Sequence, residues 1–487
     1  MVEEALSAAA GLSGLAWFCL VLVRGGVVWA PALFSALAFL WALKCRAPGR
    51  NWGARPVAAV FLGSAAIYLS TFRWHGGDDL PNILLPFAVL RHGTLALDSF
   101  IDPWLSGENH WYVLLCGGKY LSLYPPWTGL LSLPLSLLPW AFDTPITAVL
   151  LRDLSKISAT LITAASVVFF WKSLSSRCSR EWAWCLCLLY ALGSWAFSVG
   201  SQALWQHGPA QMAVAVGLWG ISEDGFRWDI LAGFGFALAA AIRPDNVFFA
   251  AAVLAYLLLD RRRRLLGFCL GSIPPALFTA IYWLYYTGRL RPPELGFQSA
   301  LFGGFCPAVL WALMASPTRG LLLFFPAAIF GAWGVWRRRR DRLGVLLLAA
   351  CGAQWVMLSF YEGWVGGNTF GSRYFAVSAL ILTWLCAGIE KEIRSSALLL
   401  KSWSVCVGAS VLIHSIGAYC PWPGPPSVVE QKAQAWSWGL HPLSYLVTTS
   451  RALGGIPVSA RVCVLATALA AAGGAARFIE KRLVRRT

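Results

Sequence analysis

Apolar runs of about 17–25 residues recur along the chain, separated by short charged or Gly/Pro-rich joints, and that is the length an α-helix needs to cross a bilayer. The pattern predicts helices over 5–23, 27–43, 56–72, 148–171, 182–200 and 208–222, then a helical hairpin over 230–259 that turns at Arg243-Pro-Asp-Asn246. Further helices are predicted over 265–286, 320–336, 343–360, 374–389, 402–418 and 457–475. Continuous runs of this kind point to spanning helices and not to the alternating strands of a barrel. The fold class expected is an all-α integral membrane protein, a bundle of about 13–14 transmembrane helices joined by long external loops.

The polar positions set the sidedness. Basic residues gather between apolar runs at Lys44 to Arg55, at Lys172 to Arg180, at Arg261 to Arg264, at Arg337 to Arg342, at Lys391 and Arg394, and at Lys481 to Arg486. Under the positive-inside rule these joints are cytoplasmic, and both termini fall with them. The external segments are then 73–125, 288–319, 361–373 and 420–455, with a short surface helix predicted over Leu80 to His92. One apolar run, 127–142, has awkward parity. If it crossed, most later basic joints would fall outside, so a run that dips in and returns, or lies on the surface, is preferred.

Composition changes this picture little. The 487 residues are 58% hydrophobic and 13% charged, with a mean hydropathy of +0.63, far from any ordinary soluble domain. The net charge of +17 resides largely in the basic joints, so it reads as topogenic charge and no nucleic-acid partner is expected. Most of the 13 Cys lie inside apolar runs without metal-type spacing, while a disulfide among Cys116, Cys306 and Cys420 is left open. Met1-Val-Glu-Glu4 lacks the basic region of a signal peptide, so the first apolar run is expected to be a retained helix.

With this topology, unusual polar residues collect on the external side: Asp78, Asp79, Lys119, Gln206, His207, Arg243, Arg319, Tyr361, Glu362 and Arg373. Arginines at outer helix ends run against the charge bias and want an anionic partner, for which the guanidinium fork suits phosphate. Two adjacent carboxylates could take a proton from an attacking hydroxyl or hold a divalent ion, and the choice stays open. Plainer readings also stand. Asp78-Asp79 would serve as an N-cap for the helix at Leu80, and Arg243 would pair with Asp245 in its own turn. Arg152, Asp153 and Lys156, near the outer end of one span, are expected to pair and face a cavity.

In order along the chain come Gly77-Asp-Asp79 after an outward helix, Tyr124-Pro-Pro126 closing the first long loop, Leu204-Trp-Gln-His207, Ile242-Arg-Pro244, Ser316-Pro-Thr-Arg-Gly-Leu321, and Gly366-Gly-Asn-Thr-Phe-Gly-Ser-Arg-Tyr374. This series resembles the GT-C class of polytopic glycosyltransferases, over roughly residues 56–390. The resemblance implies transfer of a sugar from a polyprenyl-phosphate donor to a lipid, glycan or protein acceptor at the external face; a compact chain with no appended domain leads to the expectation of a bacterial inner membrane. It implies Asp78 or Asp79 as the catalytic base, Arg319, Arg373, Arg243 and Lys119 as donor-phosphate ligands, and His207, Tyr124, Tyr361 and Trp364 as substrate-binding residues. No cofactor is assigned, and a divalent cation at Asp78/Asp79 is left open. His207 stands where several relatives carry a carboxylate, so a second-loop acid is not expected here. In these terms 1–55 holds two N-terminal helices and a basic loop, 56–287 the GT-C-like catalytic module, and 288–487 the C-terminal helices. A transporter or lipid-linked sugar flippase, and a surface-polysaccharide ligase or polymerase, are the competing classes.

Overall fold

The computed structural model describes residues 54–69, 71, 77–105, 112–290, 301–367, 369–419 and 428–444. The helices predicted at 5–23, 27–43 and 457–475 lie outside these residues, as does Cys420. Cys116 and Cys306 are free thiols. Among the described residues the chain is all α except for one two-stranded antiparallel hairpin.

The elements are α1 (Ala54–Leu69), α2 (Leu80–His92), β1 (Val113–Cys116), β2 (Lys119–Ser122), α3 (Trp127–Ala141), α4 (Ala148–Ser173), α5 (Arg180–Leu192) and α6 (His207–Ser222). They continue with α7 (Phe226–Ile242), α8 (Val247–Asp260), α9 (Leu265–Thr287), α10 (Pro307–Ala315), α11 (Leu321–Phe324), α12 (Ala328–Arg337) and α13 (Arg342–Leu358). The last are α14 (Ala376–Leu385), α15 (Glu390–Ser395), α16 (Ala397–Tyr419) and α17 (Val428–Ala433). The surface helix expected over Leu80 to His92 has those same ends, and its local chemistry explains them. Pro81 sits in its first turn, Gly93 closes it in the left-handed conformation (φ 62°), and Arg91 and His92 lie at the negative end of the dipole.

Three expectations need correction. The run 320–336 is two helices, because Pro326 lacks an N–H and pushes Phe325 out of the helical region (φ −136°, ψ 68°). The run 182–200 breaks after Leu192, where the Ser194 hydroxyl turns back onto the Tyr190 carbonyl, and resumes as a π-turn over Ala196–Gly200. The first external loop contains β1 and β2, joined by Gly117 and Gly118 at φ 56° and 76°, values of the type I′ hairpin turn.

Four helical stretches, Ala148–Ser173, Arg262–Thr287, Arg373–Ser395 and Ala397–Tyr419, are long and apolar enough to cross a membrane by length and composition. With the hydropathy of the whole chain they make this an integral membrane protein. The first and third are 83% buried over their apolar windows, the second and fourth 28% and 33%, so the former are central and the latter peripheral. Helices α6, α7 and α9 pack almost backbone to backbone: a Cβ at Gly233 would meet the Phe268 carbonyl, and one at Gly271 the Ile230 carbonyl.

Helix α4 relates the two ends of the bundle. Ser155 near its start bonds Asp79, whereas Ser175 just past its end bonds Glu223 at 3.3 Å. The Glu223 end gathers the basic joints: Arg177 pairs with Asp341 at 2.7 Å, Arg394 with Glu390 at 2.8 Å, Arg264 with Asp229, and Arg342 with Asp260. The Asp79 end gathers the acidic loop, the α7–α8 turn and the loop before α14. Helix α3 keeps to that end. Gly129 packs on Asn82 and Leu85 near its start, and the Thr144 carbonyl beyond its C-terminus accepts from Arg91 at 3.1 Å.

Candidate active site

The acidic pair is split by its surroundings. Asp79 is the N-cap residue of α2, yet its side chain makes no capping bond. Instead Asp79 Oδ2 accepts from the Ser155 hydroxyl at 2.6 Å, and Ser155 Oγ in turn accepts the Leu204 amide at 3.0 Å. The expectation of a simple cap therefore fails, because α4 offers a better donor. The side chain is 1% exposed and Asp79 Oδ1 has no partner among the described residues. Burial pushes its pKa up to about 7, with the Ser155 bond opposing that and the Asp78 charge adding to it.

Asp78 is the reachable member, with a side chain 21% exposed and Oδ2 3.3 Å from Arg373 Nη1. Asn82 holds the turn by donating to the Leu204 carbonyl at 3.0 Å and the Asp78 carbonyl at 3.4 Å. Arg373 opens a 3₁₀ turn leading into α14, and its Nε is buried without a partner among the described residues. Tyr124, Tyr374 and Arg243 all lie within electrostatic range of it. Arg243 is gripped by both oxygens of Asp245 at 3.2 and 3.3 Å, places Nη1 3.4 Å from His207 Nε2, and lies 5.7 Å from the centre of the Tyr374 ring. Tyr361 meets Tyr374 edge-on at 6.0 Å. A carboxylate, two guanidiniums, an imidazole and three phenols thus converge from six separate places along the chain.

Other candidates lie elsewhere. Lys119 is on the exposed hairpin, its side chain 59% exposed and 3.9 Å from Asp98. Trp364 is buried in the main hydrophobic core. Arg319 is 8% exposed and spends its guanidinium on protein acceptors: the carbonyls of Thr369 (2.8 Å), Gly367 (3.1 Å) and Gly371 (3.3 Å), and Gln431 Oε1 (3.2 Å). The partners of Arg319 are thus neutral oxygens where an anion was expected.

Sequence reasoning anticipated the pairing of Arg243 with Asp245 but gave no role to Ser155, Asn82 or Gln354. Gln354 donates to Asp245 Oδ2 at 2.8 Å and accepts from Ser378 at 2.6 Å, so it fixes the carboxylate that fixes Arg243. A glutamine in the middle of the apolar run 343–360 was the available signal. Of the charges noted near the start of α4, Arg152 and Asp153 pair at 3.1 Å, whereas Lys156 donates to neutral oxygens, the Ser201 carbonyl at 2.8 Å and Thr71 at 3.2 Å.

The two acids do not form a cation site as they stand. Their carboxylates go to different partners, one of them a guanidinium, and among the described residues no cluster of three or more His, Cys, Asp or Glu is placed to hold a metal.

The buried acid has a thermodynamic consequence. Native Asp79 holds its proton more tightly than the unfolded chain, whose value is near 3.8, so its contribution to stability is full below that pH and is lost as pH rises through about 7. Asp79→Asn is expected to track the wild type at low pH and to become relatively more stable above neutrality. Between pH 5 and pH 8 the gap should change by roughly 2–3 kcal/mol in favour of the variant. Melting in detergent at the two pH values reads this, and parallel stability curves would contradict it.

No family model matches the chain, and no curated protein matches it. Among solved structures it is similar to ArnT from Cupriavidus metallidurans bound to undecaprenyl phosphate, at 14% identity and a TM-score of 0.46, over 87% of this chain and 75% of that one. It is also similar to an Archaeoglobus fulgidus oligosaccharyltransferase in complex with Zn and sulfate (12%, TM-score 0.44), over 76% of this chain and 58% of the other. A third is the archaeal oligosaccharyltransferase AglB from A. fulgidus in complex with an inhibitory peptide and a dolichol-phosphate (11%, TM-score 0.46), over 80% and 60%. The chain thus spans about three fifths of the archaeal proteins' length. At such identities and scores these likenesses assign no family, and the functional reading rests on the chain's own side chains.

Proposed function

We propose that this protein is a membrane glycosyltransferase of GT-C type that moves a sugar from a polyprenyl-phosphate donor to an acceptor hydroxyl at the non-cytoplasmic face. The observation that carries the reading is the contact of Asp78 with Arg373, beside Arg243 and His207, at the end of the bundle away from the arginine joints. The sidedness follows from those joints under the positive-inside rule.

Chemistry of this kind needs a base for the acceptor and fixed positive charge for the leaving phosphate. Among the described residues Arg373 Nε has no partner, and Nη1 is the atom that meets Asp78. A donor phosphodiester entering beside it takes the guanidinium fork, with Arg243 next to it to meet the second negative charge that develops as the phosphate departs. The same event loosens Asp78 from Arg373, so donor binding exposes the carboxylate that the acceptor needs. Asp78 then accepts the hydroxyl proton as the acceptor oxygen bonds to the anomeric carbon. The bond from that carbon to the phosphate oxygen breaks, and the electron pair leaves on the phosphate. In a site shielded from water, preorganised guanidiniums stabilise that charge without reorganisation. His207 and the Tyr124, Tyr361 and Tyr374 phenols are the polar edges and rings available to the sugar.

The test is transfer from a panel of radiolabelled polyprenyl-phosphate sugars to extracted membrane acceptors, with the purified protein in proteoliposomes. Labelled product supports the reading. Labelled lipid that crosses the bilayer with no product from any donor would replace it with a flippase.

A further inference from the structure

We propose that Arg319 is a positioning residue that holds the 366–373 loop in the shape that presents Arg373 to a donor phosphate, an inference that rests on the proposed function above. Arg319 lies in a turn after α10, where its amide is held by Ser316 Oγ at 3.2 Å. From there its guanidinium reaches across the fold to three carbonyls of one short loop, those of Gly367, Thr369 and Gly371.

The backbone of that loop is unusual enough to need such a clamp. Gly367 and Gly371 sit at φ 69° and 61°, where L residues are strained, and these turns swing alternate carbonyls inward. Thr369 and Gly371 offer theirs to Arg319, while Phe370 between them faces the other way and accepts from Trp195 Nε1 at 3.0 Å. Gly371 also lies flat on Phe324, whose ring a Cβ would approach to 2.6 Å. Two residues later comes Arg373. Without a central donor, three converging carbonyls would repel one another in a buried place, and each unmet acceptor is costly. A guanidinium suits this task because its planar fork serves several acceptors at fixed angles, which a lysine ammonium on a flexible stem does not. Burial pulls the Arg319 pKa down to about 10, so the group stays charged at neutral pH.

The clamp joins a third segment. Arg319 Nη2 also donates to Gln431 Oε1 of α17, and Thr318 beside it donates to the Ala435 carbonyl at 3.0 Å. One side chain therefore ties the α10–α11 turn, the Arg373 loop and the α17 segment together. It acts through Arg373 and not on the substrate.

The experiment uses the full chain in proteoliposomes as wild type, Arg319→Lys and Arg319→Ala. Hydrogen exchange of the amides over 363–372 should quicken in both variants, more in Arg319→Ala, with the helices α4 and α6 unchanged. The KM for the polyprenyl-phosphate sugar should rise by tens to about a hundredfold while the acceptor KM stays put. Added guanidinium ion should recover part of the Arg319→Ala loss. If Arg319→Ala does not fold, Arg319→Lys carries both readouts. Exchange over 363–372 that matches the wild type would overturn the clamp, even with donor binding lost, since that pairing marks a direct phosphate ligand. An acceptor KM that moves with the donor KM would overturn it too, as general destabilisation. Exchange is read without turnover, so a wild type that transfers no sugar defeats the glycosyltransferase reading alone.

Discussion

Asp78→Asn is expected to lose sugar transfer by about a hundredfold to ten-thousandfold in kcat, the usual contribution of a positioned general base. The protein should still insert and bind donor. Asparagine keeps the shape and an oxygen for Arg373, so the 3.3 Å contact survives in neutral form, and what disappears is the capacity to take a proton. Donor binding should hold or tighten, because the carboxylate that competes with phosphate for Arg373 has lost its charge. Asp79→Asn is the informative companion. Its carboxyl is buried on Ser155, out of reach of an acceptor, and an amide oxygen can accept the same 2.6 Å bond, so its loss should stay within about tenfold. Steady-state transfer by the two variants at saturating donor decides between the neighbours. A full rate from Asp78→Asn would remove the base from the mechanism, and a collapse confined to Asp79→Asn would move it one residue along.

How much of this was legible depended on whether the governing interactions were local. The ends of α2 were readable because Pro81, Gly93 and the basic last turn act within a few residues. The Gly117-Gly118 turn between β-prone residues was equally local and could have revealed the hairpin. Pro326 announced the break between α11 and α12 in the same way. Side-chain destinations were a different matter. The outer arginines were expected to want an anionic partner; Arg373 has one in a carboxylate 295 positions away, whereas Arg319 is taken up by neutral carbonyls of a glycine-turned loop. Only the packed loop distinguishes them. Likewise Asp78 and Asp79 are identical in sequence terms, and it is Ser155, on a helix whose start happens to lie beneath them, that buries one and leaves the other open. Lys119, an expected phosphate ligand in sequence terms, lies on the exposed hairpin beside Asp98.

Arg373→Ala should lower kcat/KM for the donor by about a hundredfold to a thousandfold, as expected when a preorganised charge is removed from a departing anion. Two effects combine. The phosphate loses its fork, and Asp78 loses the guanidinium that holds its carboxylate at 3.3 Å, so donor binding and the placement of the base both suffer. Arg373→Lys separates the two: it restores a positive charge beside Asp78 but not the paired donors, so it should recover much of kcat while leaving donor KM raised by about tenfold or more. Lys119→Ala supplies the control, since an exposed cation loosely paired with Asp98 should change transfer by less than about twofold. Measuring kcat and donor KM for all four proteins tests this division of roles. If Arg373→Ala keeps the wild-type kcat and donor KM, then Arg373 is a surface anchor for membrane lipid, and the phosphate must be held by Arg243 with His207 instead.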